Sequence, residues 1–271
     1  MIKTDGPIVL IGAGNMGGAM LAGWLKSGIA GSSVIVCDPS PSEAMKERMA
    51  SSGVVHHQTP PPGVTAGILF IAVKPQVMGT VLPAFRAMMG PDTLVVTVAA
   101  GKPLSFIEGI LGPAAMVRAM PNTPAMVGRG ITGAFANPRV TKAQRDTVDQ
   151  LLKVSGPVEW VETEALIDSV TAVSGSGPAY VFYLVECMAE AGRKAGLPAD
   201  LAMRLARATV SGAGELMHQS PDDAARLRQN VTSPGGTTAA ALAVLMAEDG
   251  MQPLFDKAIE AARKRAGERG G

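Results

Sequence analysis

The 271-residue chain has almost no surplus of charge. Its 24 Lys and Arg stand against 23 Asp and Glu, spread along the sequence, for a formal net charge of +1. A protein that grips a phosphate backbone concentrates basic side chains, so nucleic acid is not an expected partner. Cysteine is equally scarce: Cys37 and Cys187 lie far apart, without metal-ligand spacing, and both read as core thiols. His56 and His57 would face opposite ways in a strand and His218 stands alone, so no metal site is expected. No apolar run approaches the roughly 20 residues that span a bilayer. Only Lys3 precedes the first apolar run, which glycines interrupt, so the expectation is no membrane segment, no signal peptide and a cytoplasmic location. A hydrophobic content of 47% with 17% charged residues marks a folded globular chain, long enough for two domains.

What the sequence does hold is an apolar run ending in glycines, Val9-Leu10-Ile11-Gly12-Ala13-Gly14-Asn15-Met16-Gly17. It passes without a break into the helical pattern Met20, Leu21, Trp24, Leu25. Strand, tight turn and helix follow in that order. Gly12 permits the sharp turn, Gly14 removes the side chain that would block a pyrophosphate, and Gly17 lets the helix pack on the strand. Free N–H groups at the helix start, Asn15 and Met16, then face the phosphates of a dinucleotide.

Residues 33–38 read as a second strand closed by Asp38, about 20 residues beyond the glycines, where a carboxylate accepts from an adenosine ribose. The competing reading is a capping or turn Asp in Asp38-Pro39. Ser40-Pro41-Ser42-Glu43 places a capping Ser before Pro at the first helical position, with the helix stopping near Gly53. Residues 67–73 form a continuous apolar strand ending in Val73-Lys74-Pro75, followed by Val77, Val81, Leu82, Phe85 and Met88 at helical spacing. Another buried strand, 94–98, ends at Ala99. A helix over 104–111 leads to strands at 116–120 and 131–136, separated by Pro121-Asn122-Thr123-Pro124. Thr141 caps a helix to about Leu152, and 158–161 closes the strand series. This alternation predicts a mostly parallel, doubly wound α/β domain over residues 1–162, with its ligand at the carboxyl ends of the strands.

Beyond Glu162 the strand signal vanishes. Residues 164–173, 178–195, 199–217, 222–230, 237–248 and 252–269 read as helices, so 163–271 is expected to be all-α. The helix from Pro178 carries Tyr180, Val181, Phe182, Leu184, Val185 and Met188, apolar on nearly every side. Such a helix must be buried all round, and a monomer of this size struggles to surround it, which predicts a subunit interface.

Four segments go beyond a generic dinucleotide fold: Ile11 to Gly17, Ala72-Val73-Lys74-Pro75-Gln76, Ser174-Gly175-Ser176-Gly177-Pro178-Ala179-Tyr180, and Asn230-Val231-Thr232-Ser233-Pro234-Gly235-Gly236-Thr237-Thr238. In that order they resemble pyrroline-5-carboxylate reductase, over nearly the whole chain. The resemblance implies hydride transfer from NADPH or NADH to the C=N carbon of a cyclic imino acid, giving L-proline. It also implies a Rossmann-type N-terminal domain, an all-α C-terminal dimerisation and substrate domain, a homodimer often assembled into a larger ring, and an active site to which the partner subunit contributes.

The substrate carries a carboxylate, and the stretch Ser233, Gly235, Gly236, Thr237 and Thr238 supplies bare N–H groups at a helix start. On spacing alone this is as readily a glycine turn before a capped helix. The resemblance favours substrate binding and places the Thr238 hydroxyl at the imine nitrogen, hydrogen bonding or relaying a proton from water. Ser176 is a candidate donor to cofactor or substrate, against a plain helix-to-helix turn. Lys74 stands either beside the cofactor or in solvent, and Asn122 either lines the nicotinamide side or serves an ordinary turn. Asp38 would accept from the 2′-hydroxyl of NADH and repel the extra phosphate of NADPH, while many relatives use NADPH; Ser40 and Ser42 could reach that phosphate. On this reading Asp38→Ala moves the preference toward NADPH. The rival readings are a β-hydroxyacid-dehydrogenase-like oxidoreductase, which usually needs a lysine that the stretch before Lys194 lacks, and a non-catalytic cofactor sensor, which leaves residues 233–238 without a role.

Overall fold

The computed structural model describes residues 6–268; Lys3 and position 269 of the expected last helix lie outside the described residues. The chain divides into two compact units. One holds the described residues up to Gly175 and those from Ala262 onward, the other Ser176–Ala261.

In the first unit the apolar runs become β1 (Ile8–Ile11), β2 (Val34–Cys37), β4 (Ile68–Ile71) and β5 (Leu94–Thr97), largely buried on both faces. With β3 (Val55–His57), β6 (Ala115–Pro121), β7 (Thr132–Ala136) and β8 (Val158–Trp160), the described residues form one sheet in the order β3-β2-β1-β4-β5-β6-β7-β8. Ile8 pairs with both Val34 and Ile68, so β1 is where the winding reverses and a ligand crevice opens. Alternate residues serve opposite cores. Leu10, Val36 and Phe70 meet Trp24 from α1 (Asn15–Lys26) together with α2 (Glu43–Ser51). Val9, Ile11, Leu69 and Ile71 meet Met78 of α3 (Met78–Val81) and Ile107 of α4 (Leu104–Leu111). Trp24 is fully buried, edge-on to Phe70 at 4.9 Å, and its indole N–H donates to the Leu151 carbonyl at 2.9 Å at the end of α5 (Lys142–Leu152).

Several local expectations are corrected. The cap of α2 is Ser42, whose side chain accepts from Met45 N–H, and Ser40 and Pro41 stay outside the helix. The helix expected from Val77 to Met88 is broken into one α-turn, α3, and a 3-10 stretch Leu82–Met88, because Pro83 supplies no N–H to continue it. Strand β3 had no apolar periodicity to announce it and forms only by pairing with β2. β7 runs antiparallel to β6, since the link from Asn122 to Ile131 is too short for a parallel crossover.

The last strand, β8, ends at Trp160, and the two compact units divide after Gly175. The segment between is tied to the sheet. The buried Arg118 guanidinium of β6 reaches Glu164 at 3.3 Å and Asp168 at 3.4 Å, and Val170 fills the space beside Gly133. This segment comprises the short α6 (Leu166–Val170) and a π-helical turn, Thr171–Gly175.

The second unit opens with a hairpin of α7 (Gly177–Lys194) and α8 (Ala199–Gln219), followed by α9 (Ala224–Asn230) and α10 (Thr237–Leu245). The last helix, α11 (Met251–Glu268), begins in this unit. The apolar surface of α7 is bare in the single chain: Phe182 and Tyr183 are 64% and 65% exposed. Cys187, expected in a core, is exposed on the same helix. Among the described residues no helix is long and apolar enough to cross a membrane.

Candidate functional site

Each glycine of the first turn has a separate steric task. Gly12 adopts φ +88°, and a Cβ there would meet Val73 Cγ1 at 2.9 Å. A Cβ on Gly17 would overlap the Gly12 carbonyl oxygen, at 2.1 Å, which fixes how closely α1 rides over β1. Gly14 has nothing within 4 Å and faces open space. It is also the N-cap of α1, with no side-chain cap and no acid in the first turn, so the N–H groups of Asn15 and Met16 are left for an anion. A cradle shaped this way fits a pyrophosphate: bare backbone donors, a helix dipole and room that a side chain would fill.

From this turn a groove of about 790 Å3 extends across the first unit. It brings together Gly14, Asn15, Asp38 and Ser40 of the predicted residues. It adds Lys26 of α1, Arg48 of α2 and a wall of Ala125 to Gly128 that sequence reasoning missed. The signal for that wall was faint, two apolar residues in a short turn; Met126 and Val127 are largely exposed. Asp38 is half-buried. Its Oδ2 accepts from Ala13 N–H at 2.7 Å and its Oδ1 from Ser40 N–H at 2.8 Å. Neighbouring Cys37 is buried, which pushes its thiol up to about 11 and makes it inert.

At the carboxyl ends of β4 and β5 the chain places Val73 over Gly12, an exposed Lys74, and Pro75 at the edge of a second cavity of about 450 Å3. That cavity is also lined by Ala100, Lys102 and Phe106, with Lys102 Nζ 4.9 Å from the Phe106 ring. Ala99 is buried, its N–H directed to Thr97 Oγ1, so it shapes this edge from behind. Asn122 lies at the end of β6 with both ends of its carboxamide in use: Nδ2 donates to Ser174 Oγ at 3.3 Å and Oδ1 accepts from Ile131 N–H at 3.0 Å.

The remaining candidates belong to the second unit. Ser176 precedes α7 without a side-chain capping bond. Gly235 takes φ +68° with nothing within 4 Å of its would-be Cβ, and Gly236 donates to the Ser233 carbonyl at 3.1 Å, closing a tight turn. Gly236, not a hydroxyl side chain, is the N-cap of α10. The helix therefore starts bare, with Thr237 and Thr238 as its first two residues and their N–H groups open to an anion. Thr238 is half-buried.

The two halves of the chain each resemble a known protein family. Residues 7–101 match a family described as NADP oxidoreductase, coenzyme F420-dependent, and residues 164–269 match one described as pyrroline-5-carboxylate reductase dimerisation. A pyrroline-5-carboxylate reductase of Pseudomonas aeruginosa is 39% identical over 262 residues, covering 96% of each chain. Among solved structures, the pyrroline-5-carboxylate reductase of Coxiella burnetii superposes with a TM-score of 0.89 at 35% identity, covering 98% of this chain and 99% of that one. A Plasmodium falciparum pyrroline carboxylate reductase, solved with NADP bound, gives 0.80 at 26% identity, covering 99% of each. The glycine turn, the bare α7 and the uncapped start of α10 thus sit in a chain that belongs to the pyrroline-5-carboxylate reductase family.

Proposed function

We propose that this protein reduces 1-pyrroline-5-carboxylate to L-proline with NAD(P)H, the last step of proline biosynthesis. The observation that carries the reading is a pair of uncapped helix N-termini, one after Gly14 and one after Gly236, in a chain of this family. The reaction joins a dinucleotide to a small carboxylate, and each bare N-terminus offers the donors one of them needs. A bound reduced nicotinamide supplies the hydride for the C=N carbon.

The chain's own work is positioning. Gly12, Gly14, Asn15, Met16 and Gly17 hold the pyrophosphate; Asp38 and Ser40 border the adenosine end; Val73, Lys74, Pro75, Ala99 and Asn122 shape the far end. Ser233, Gly235, Gly236 and Thr237 form the turn that holds the substrate carboxylate through N–H groups at the start of α10, the Gly236 N–H itself closing the turn onto the Ser233 carbonyl, with Ser176 as a further donor. The Thr238 hydroxyl donates to the ring nitrogen and passes on a proton taken from water, because a threonine hydroxyl is too weak an acid to be the source. The protein acts as a homodimer through residues 163–271, supported by the bare face of α7 inside the dimerisation match, and the dimers assemble into a larger ring. The expected compartment is the cytoplasm, which suits two free thiols.

The test is incubation of the purified protein with pyrroline-5-carboxylate and NADPH or NADH, following cofactor absorbance and proline. Proline should form and stop when either reactant is withheld; no proline with either cofactor rejects the reading.

A further inference from the structure

We infer that Asp38 is a positioning residue for the glycine turn, and that it serves NADH and NADPH alike instead of choosing between them. The inference rests on the proposed dinucleotide site. An acid at the end of β2 discriminates when its carboxylate is turned outward to a ribose hydroxyl. Here each oxygen already accepts a backbone N–H: Oδ2 that of Ala13 at 2.7 Å, across 25 residues of sequence, and Oδ1 that of Ser40 at 2.8 Å, at the exposed edge of the turn. Ala13 lies between Gly12, at φ +88°, and the open Gly14, so this bond fixes the backbone from which the pyrophosphate donors project. Asp38 is itself held on its other sides. Its N–H donates to the His57 carbonyl at 3.1 Å, and its carbonyl lies 2.9 Å from His56 Nε2. Asp38 thus joins β1, β2 and β3, its carboxylate holding the glycine turn after β1 and its backbone holding β3.

Charge points the same way. Two N–H donors take up part of the carboxylate's negative potential, as charge-assisted bonds do. The groove also carries Lys26 and Arg48, neither with an ion-pair partner among the described residues. An additional phosphate near Ser40 and Ser42 thus meets a groove whose net side-chain charge is positive, and Asp38 does not exclude it.

The experiment is fluorescence titration of full-length wild type, Asp38→Asn and Asp38→Ala with NADH and with NADPH, alongside thermal unfolding and amide exchange at Ala13. Wild type should bind both. Asp38→Asn, which keeps one acceptor, should weaken both by a few-fold, and Asp38→Ala both by about tenfold, the scale of one charge-assisted bond. The ratio of the two dissociation constants should stay within about threefold, with faster exchange at Ala13. A fall in NADH affinity with unchanged or improved NADPH affinity overturns the inference. So does lowered thermal stability with both affinities intact. Failure of wild type to bind either dinucleotide rejects the underlying site instead.

Discussion

Asn122 and Ser174, 52 residues apart, meet through a 3.3 Å hydrogen bond from the carboxamide Nδ2 to the serine Oγ. The same carboxamide accepts the Ile131 N–H at 3.0 Å, so one side chain joins the end of β6, the entry to β7 and the π-helical turn. Of the two sequence expectations for Asn122, a lining residue or a turn residue, the observed bonds are those of a residue that holds the local backbone together. Asn122→Ala removes both bonds and should cost about 1–2 kcal/mol in denaturant unfolding. Asn122→Asp keeps the acceptor for Ile131 and should cost less; equal losses would show that the Ile131 bond contributes nothing.

The three glycines of the turn should separate into packing and binding classes. Gly17→Ala forces a methyl onto the Gly12 carbonyl and should lower stability by about 1–3 kcal/mol. Gly14→Ala meets no neighbour, so its unfolding midpoint should hold while NAD(P)H affinity falls. Titration and unfolding of the two variants test this, and a Gly14→Ala protein that binds as tightly as wild type would remove the cradle from the cofactor site.

Thr238→Ala should reduce turnover by about 10- to 100-fold, the loss of one or two hydrogen-bond energies in the transition state. Cofactor affinity should be nearly unchanged, and Thr238→Ser should recover most of the rate. Steady-state kinetics with varied imine and titration with cofactor check both, and an unaffected rate takes Thr238 out of the mechanism.

Phe182→Asp places a carboxylate on the bare face of α7. Burying it against a partner without a counter-charge is costly enough to dissociate the dimer at micromolar concentration. Light scattering after size exclusion should show wild type as a dimer or larger and the variant as a monomer. A variant of wild-type mass places the interface elsewhere.

The sequence by itself determined the α/β half, the helical half and the dinucleotide turn. Those signals are local: continuous β-branched runs, 3.6-residue spacing, and glycines where a side chain cannot fit. Thr141 even announces its capping box with Gln144, since the partner is three residues away. The tertiary structure decided the rest. Whether Asp38 points to a ribose or to Ala13 depends on the pairing of Ile11 with Cys37, which brings two turns together only once the sheet has formed. The attachment of residues 164–175 to the sheet depends on Arg118, which in sequence is one polar residue inside a strand. Direction, register and the partner of a long-range hydrogen bond are properties of pairs of segments, and one-dimensional periodicity describes each segment alone.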